Sequence, residues 1–152
     1  AHEDSALHGQ GFVARLSGST AEFLQMWLWM NIGRTPFSIE KGKLQLTFNP
    51  ILPGWLFTTQ KTQLEYCTVE GSWQKLDLPP NIYAFHFLGS ILVVYHNPHR
   101  RDTFGDKRAI VEKIQLHYPS QSPVVVSSSP LSAPYAEDVR SHKVSRIDIF
   151  LK

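Results

Sequence analysis

Residues 23 to 32 are the most apolar segment of the chain. They read FLQMWLWMNI, so that only Gln25 and Asn31 interrupt the run. At 3.6 residues per turn such a run covers almost the whole circumference of a helix, whereas a surface helix carries a single apolar stripe. Spanning a membrane needs about 20 apolar residues, so the segment is too short for that. We therefore expect a buried helix that packs against helices outside this sequence.

Helix signals flank the segment on both sides. The sequence STAE at 19–22 fits a capping box, in which Ser19 and Glu22 bind each other's backbone N–H groups. Gly33 suits the left-handed position that follows a helix, and Pro36 prevents its continuation. The helix is therefore predicted to begin near Ser19 and to end before Gly33.

After Pro36 the apolar positions alternate with a period of two, which is typical of strands. Residues 43–48 and 144–151 alternate in this way, strand-like apolar runs occupy 63–67, 83–88, 91–95 and 110–118, and 55–57 is a further candidate. Gly89-Ser90 fits a two-residue hairpin loop, and Ser and Pro residues fill a loop at 127–134. About seven strands predict a two-sheet antiparallel β-sandwich. The fold class is thus mainly β.

Composition narrows the class of protein. A chain of 152 residues corresponds to one domain with or without an appendage. Its net charge of +2 gives no strong attraction to nucleic acid or an anionic membrane, and we expect neither partner. Cys67 stands alone, which excludes an internal disulfide and a cysteine-rich zinc site. A single cysteine is compatible with a reducing cytoplasm, which is the location we expect, although secreted proteins also exist without disulfides. The first ten residues are polar, without a signal-peptide pattern, and read as a loop.

Several motifs occur in an order that resembles a known enzyme family. They are RLSGSTAE at 15–22, IGRTPF at 32–37, GKLQLTFNPILP at 42–53, FLGS at 87–90 and YHNP at 95–98. Together they resemble the C-terminal end of the inverting disaccharide and oligosaccharide phosphorylases related to cellobiose phosphorylase, including those that act on β-1,2-linked glucans. The resemblance covers residues 9–98 and extends more weakly to Leu151.

The resemblance implies a domain organisation and a reaction. Residues 1–35 would be the last loop and helix of an (α/α)6 catalytic barrel, and residues 36–152 a C-terminal β-sandwich. The family cleaves β-glucosidic bonds of an oligosaccharide with inorganic phosphate as co-substrate, inverting the anomeric carbon and using no metal or organic cofactor. Its general-acid Asp lies upstream of the matched part, so no catalytic residue is expected here. The implied partner is the remainder of the barrel, which is either another chain or a part of the protein that precedes these residues.

The loop before the helix carries groups that suit a phosphate. A helix N-terminus offers unpaired N–H groups and a positive dipole end. Family members place phosphate contacts in this region, which implies Gln10, Gly11 and Ser17 as contacts, with Arg15 and His8 as weaker ones. A second interpretation remains open: Ser17 to Glu22 merely caps a helix, Arg15 pairs with a barrel carboxylate, and Glu22 repels an anion.

Residues 95–108 combine histidines, four cations and two aspartates. His96 and His99 could bind a metal, or the cluster could contact phosphate or nucleic acid. Asp102 and Asp106 halve the net charge, however, and no third ligand lies near the histidine pair. We therefore expect a solvated loop with internal salt bridges.

The four tryptophans could stack on sugar rings. Trp27 and Trp29 lie among Leu, Met and Phe and are expected in a core. Trp55 and Trp73 follow Pro-Gly and Gly-Ser pairs at loop edges, where a sugar platform is an alternative to packing, which we favour.

The residues leave rival functions open. No nucleophile elbow, P-loop or dinucleotide fingerprint is found. A hydrolase of the same architecture, in which water replaces phosphate, is one rival to the phosphorylase. Another is a non-catalytic sugar-binding or structural β-sandwich module. A third is a homo-oligomer that buries its helix by self-association.

Overall fold

The structure, a computed structural model, describes residues 3–8, 17–68, 70–127 and 129–152. Within these ranges the helices are α1 (Ser17–Ile32) and α2 (Tyr135–Arg140), and 3-10 turns span Ser5–Leu7 and Gly54–Leu56. The strands are β1 (Phe37–Glu40), β2 (Lys43–Leu46), β3 (Thr62–Cys67), β4 (Trp73–Leu78), β5 (Ile82–Phe87), β6 (Ile91–His96), β7 (Val111–His117), β8 (Val124–Val126), β9 (Leu131–Ser132) and β10 (Arg146–Leu151). The chain is mainly β.

The largest sheet has five strands in the order β5-β6-β10-β7-β8. Neighbouring strands are antiparallel except for β10, which runs parallel to β6 with Ile147 opposite Val93. Strand β6 is buried without interruption from Ile91 to Tyr95. A continuous apolar run of this kind is typical of a central strand that is covered on both faces.

Each face of this sheet has its own cover. Val93 and Tyr95 of β6 belong to the main core, which includes residues of the three-stranded sheet β1-β2-β9 and of both helices. Leu92 and Val94 point the other way and form a smaller cluster with the hairpin of β3 and β4. The packing of the three-stranded sheet on the five-stranded one is compatible with a β-sandwich, and the hairpin lies on its outer side.

Helix α1 ends as the sequence predicts. Its last residue is Ile32, and Gly33 follows with a φ of 98° while its N–H donates to the Trp29 carbonyl at 2.9 Å. The predicted beginning is wrong by two residues, because the helix already includes Ser17 and Gly18 and so places Ser19 inside its first turn rather than at the cap.

Burial along α1 increases towards its C-terminal end. Residues 18–26 are exposed, residues 27–30 are half-buried and residues 31–33 are buried. Sixteen helical residues extend over about 24 Å, and only the last turns reach the sandwich. The described part of the chain therefore leaves Phe23 to Met26 uncovered, and burial of these residues by helices outside the sequence stays a prediction.

The strand predictions agree best where alternation was clearest. Strands β2, β3, β5, β6, β7 and β10 lie within or close to the predicted segments. The candidate strand at 55–57 is wrong, since a 3-10 turn occupies Gly54–Leu56. The hairpin loop after Phe87 has three residues rather than two, because Phe87 pairs with Ile91.

Candidate functional site

Most of the predicted phosphate contacts lie outside the described residues. This applies to Gln10, Gly11 and Arg15, and to the side chain of Ser17, whose backbone begins α1. His8 is exposed, and its backbone N–H donates to the carbonyl of Ser5 at 3.2 Å. The phosphate loop therefore stays a prediction.

The C-terminal end of α1 is held by hydrogen bonds to the rest of the chain. The last four carbonyls of a helix lack partners within it. Beyond the Gly33 bond, three of those carbonyls accept from distant residues: Met30 from the Ile51 N–H (2.8 Å), Asn31 from the Tyr95 hydroxyl (2.8 Å) and Ile32 from the Asn49 N–H (3.0 Å). The direction in which α1 leaves the sandwich is consequently fixed.

Side chains reinforce this attachment. The Trp27 ring meets the Phe85 ring edge to face, with centroids 5.9 Å apart and planes at 82°. Asn31 is fully buried, and its amide donates to the Trp27 carbonyl at 2.7 Å. The predicted core position of Trp27 is thus confirmed in part, since the ring is half-buried against the main core. Trp29 is also half-buried, and the Arg34 guanidinium lies 4.6 Å from its ring centroid.

The first half of α1 presents large apolar side chains to solvent. Phe23 is 63% exposed, and Leu24 and Met26 are each 58% exposed. Gln25, between them, is exposed as well. We call the side chains of Phe23, Leu24 and Met26 the apolar helix surface. Contiguous exposed apolar groups are typical of surfaces that contact another protein, a membrane or a ligand.

Two tryptophans lie on the outside of the sandwich. Trp55 is 75% exposed in the 3-10 turn, and Trp73 is 74% exposed at the start of β4. The packing role favoured from the sequence is therefore wrong for both. The backbone at both positions places the side chain away from the core. Burial depends on tertiary contacts, which the local sequence pattern does not predict.

Hydrogen bonds join the loop after β6 to the segment at 50–54. The Asp102 carboxylate accepts from the Gly54 N–H at 2.7 Å. The buried Thr103 hydroxyl accepts from the Leu52 N–H and donates to the Pro50 carbonyl, both at 2.8 Å. Among the described residues of this loop no ion pair occurs, so the expected internal salt bridges are not found.

His96 belongs to β6 and not to that loop. Its Nε2 lies 2.7 Å from one carboxylate oxygen of Asp148, and the Nε2 of His117 lies 2.6 Å from the other. The Arg146 Nε donates to the second oxygen at 2.8 Å. The strand register explains the cluster, because His96, Asp148 and His117 stand on the same face of three adjacent strands. His99, by contrast, is exposed.

The environment of Asp148 favours its charged form. Burial by itself raises the pKa of this carboxyl group, but the hydrogen bonds with His117 and His96 and the charge of Arg146 outweigh burial and hold the pKa well below its usual value. Sequence reasoning missed this group. The alternation of β10 places Asp148 on a face, but nothing in the sequence indicates which residues stand beside it.

The described residues contain no cluster of three or more His, Cys, Asp or Glu side chains arranged to hold a metal ion. Cys67 is a half-buried free thiol. Neither helix in the described ranges has the length and hydropathy that crossing a bilayer requires. In comparisons with known proteins, no family model and no curated protein matches this chain.

Proposed function

We propose that this chain is the C-terminal segment of a carbohydrate-active enzyme, in which α1 completes a helical catalytic barrel and the strands form an accessory β-sandwich. The reaction is the phosphorolysis of a β-glucosidic bond of a di- or oligosaccharide, with inorganic phosphate as co-substrate and no other cofactor. The single observation that carries the proposal is the apolar helix surface, which projects from a firmly attached helix.

Because its C-terminal end is attached, α1 cannot fold back to cover its exposed side chains with the sandwich. Hydrogen bonds from Asn49, Ile51 and Tyr95 fix its last turn, so its first half cannot rotate to bury itself without breaking them. Completing the burial of Phe23, Leu24 and Met26 in a partner would stabilise the assembly by roughly 1 to 2 kcal/mol for each side chain. A surrounding layer of helices would bury every face of a helix segment that is apolar on all sides.

In this proposal the segment contributes one loop to the phosphate side of the active site. Gln10, Gly11, Ser17 and Arg15 bind phosphate, and the N-terminal dipole of α1 adds to the attraction. The general acid belongs to the remainder of the barrel. The enzyme works in the cytoplasm, where phosphate and a reduced Cys67 thiol are maintained.

The test is made on the native assembly. An affinity tag inserted in the exposed loop at 120–123 purifies this chain from the cells that make it, together with whatever helical protein surrounds α1. The preparation is then given β-linked glucose disaccharides and β-1,2-linked oligoglucans with and without inorganic phosphate. Release of α-glucose 1-phosphate that requires phosphate is the expected result. Sugar release that does not depend on phosphate would replace the phosphorylase by a hydrolase of the same architecture.

Matched variants test the role of the helix. Leu24→Asp and Met26→Asp should each reduce the amount of helical partner recovered, because they place a charge in the covered surface. Gln60→Asp, which places the same charge at an exposed polar position outside α1, should leave recovery unchanged. Recovery of copies of this chain alone would support self-association and contradict the barrel proposal.

A non-catalytic saccharide-binding module is the second candidate, and the exposure of Trp55 and Trp73 favours it. An exposed indole ring offers an apolar plate with a polar N–H, which suits stacking on a sugar ring. This candidate predicts that the tagged assembly binds oligosaccharide but releases no sugar or sugar phosphate.

A further inference from the structure

A cleft of about 420 Å³ separates the tip of the β3–β4 hairpin from the end of β7. Its walls include Tyr66, Glu70 and Gln74 on the hairpin side and Tyr118, His142 and Ser145 on the sheet side. We call it the hairpin cleft. Its volume falls within the range of small-molecule sites, about 300–1,000 Å³.

The hairpin wall is set by strand register. Tyr66 of β3 stands opposite Gln74 of β4, and its hydroxyl donates to the Gln74 Oε1 at 3.0 Å. The alternation of both strands places this pair on the face that the hairpin turns towards the sheet, the face of Leu64 and Leu76. Trp73 therefore points to the opposite, outer face, where it is 74% exposed.

The sheet wall is held by hydrogen bonds to neighbouring elements. The Tyr118 hydroxyl donates to the Asp138 Oδ2 at 3.1 Å, and burial together with the Asp138 carboxylate raises the pKa of Tyr118 to about 12. The phenol is consequently neutral at physiological pH. The Ser145 hydroxyl donates to the His117 carbonyl at 3.0 Å, and the His142 Nδ1 lies 3.0 Å from the Ser90 hydroxyl.

The chemistry of the walls selects a class of ligand. In the described part of the chain no Lys or Arg lines the hairpin cleft, and Glu70 contributes a carboxylate, so an anion such as phosphate is disfavoured. Hydroxyl, amide and imidazole groups both donate to and accept from hydroxyl groups, a carboxylate accepts from them, and the two tyrosine rings offer apolar faces. A neutral ligand with many hydroxyls and an apolar C–H face, a saccharide, fits this combination.

We propose that the hairpin cleft binds a neutral glucose oligosaccharide without taking part in its cleavage. The choice of glucose rests on the proposed function. The cleft keeps an oligomeric or polymeric substrate near the enzyme. A saccharide that is held at this second site has a higher effective concentration at the active site.

The experiment uses the full 152-residue chain and a β-1,2-linked glucose trisaccharide, with inorganic phosphate as the anion probe. Binding is measured by saturation-transfer NMR and titration calorimetry. Gln74→Ala removes an amide from the cleft, and Tyr118→Ala removes a ring. Each should weaken trisaccharide binding about tenfold, the effect of losing one good contact. Lys75→Ala is the matched control on the outer face of the same hairpin and should leave the affinity unchanged. Trp73→Ala separates the hairpin cleft from the exposed indole as the saccharide contact.

Each outcome decides the proposal. Thermal unfolding checks that the variants fold. If Tyr118→Ala does not fold, Gln74→Ala is sufficient for the test. The proposal is overturned if the unchanged chain binds no trisaccharide at millimolar concentrations, if phosphate binds in its place, or if only Trp73→Ala abolishes binding. The measurement involves no barrel and no release of sugar phosphate, so its failure is distinct from failure of the proposed phosphorolysis.

Discussion

The hydroxyl of Tyr95 and the backbone carbonyl of Asn31, 64 positions apart in the sequence, are joined by a buried 2.8 Å hydrogen bond. Tyr95 is fully buried near the end of β6, an inner strand of the five-stranded sheet. Burial raises the pKa of Tyr95 well above its usual value, so the hydroxyl keeps the proton that it donates. This bond ties the end of α1 to the central strand of the sandwich.

Removing that donor should destabilise the protein. Tyr95→Phe leaves the Asn31 carbonyl buried without its partner, which costs about 1–3 kcal/mol of unfolding free energy. Urea unfolding followed by circular dichroism measures the change. Tyr66→Phe is the control, because the bond from Tyr66 to Gln74 is exposed to solvent, and its effect should stay within about 0.5 kcal/mol. Equal losses in the two variants would contradict the role given to Tyr95.

Glycine substitutions at the two ends of α1 should have opposite effects. At Gly33 the φ of 98° is unfavourable for a side chain, and an added Cβ would lie 2.9 Å from the Asn49 carbonyl oxygen. Gly33→Ala should therefore lower the unfolding free energy by about 1–3 kcal/mol. Gly18, inside the helix, has no atom within 4 Å of an added Cβ. Gly18→Ala should raise the helix content and add up to about 1 kcal/mol. A loss at both positions would contradict the helix bounds.

The depressed pKa of Asp148 predicts a pH dependence of stability. Its folded-state pKa lies below the unfolded value of about 3.9, so the contribution to stability is complete above that value. It is lost as the pH falls below about 4 towards the folded-state pKa. Asp148→Asn should remove this acid-sensitive part and, because it leaves Arg146 and two histidines without their carboxylate, destabilise the protein by about 3–5 kcal/mol at neutral pH.

The measurement is a series of urea unfolding curves between pH 2.5 and pH 7, in steps of about half a unit. The exposed Asp106 provides the control. Asp106→Asn should follow the unchanged protein over the whole range. An Asp148→Asn variant with the same acid dependence as the unchanged protein would show that other carboxyl groups carry it.

The hydroxyl of Thr103 should be more important than the volume of its side chain. Thr103→Val keeps the shape of the side chain but leaves the Leu52 N–H and the Pro50 carbonyl without their hydrogen-bond partner. The free energy of unfolding should therefore fall by about 1–3 kcal/mol. Thr103→Ser keeps the hydroxyl and should retain most of the stability. Thermal unfolding of the pair distinguishes them, and a larger loss in Thr103→Ser than in Thr103→Val would overturn this account.

The sequence predicts local features of the fold well. The end of α1 follows from Gly33, and the alternation at 144–151 gives β10. The sequence pattern does not predict strands β1, β4, β8 and β9 or helix α2. Strand β9 is two residues long inside a Ser/Pro-rich segment, and its pairing with Gln45 and Leu46 is a long-range property.

Side-chain surroundings could not be predicted in the same way. Trp55 and Trp73 have aromatic side chains that usually pack, and only the paths of the turns before them determine their exposure. The two histidine partners of Asp148 lie on β6 and β7, more than 30 residues upstream of it. Among the predicted phosphate contacts, the structure tests none, so the local pattern before α1 is still the only evidence there.

The position of β10 constrains the order in which the protein can assemble. This strand is the last of the described elements, yet it lies between β6 and β7 and is their common neighbour. Until residues 146–151 have left the ribosome, the β5–β6 and β7–β8 pairs have no hydrogen-bonded connection, and the apolar strand β6 has an open edge. Loss of these six residues by proteolysis or a premature stop codon would divide the sheet into two halves, so quality control in the cell would treat such a product as unfolded.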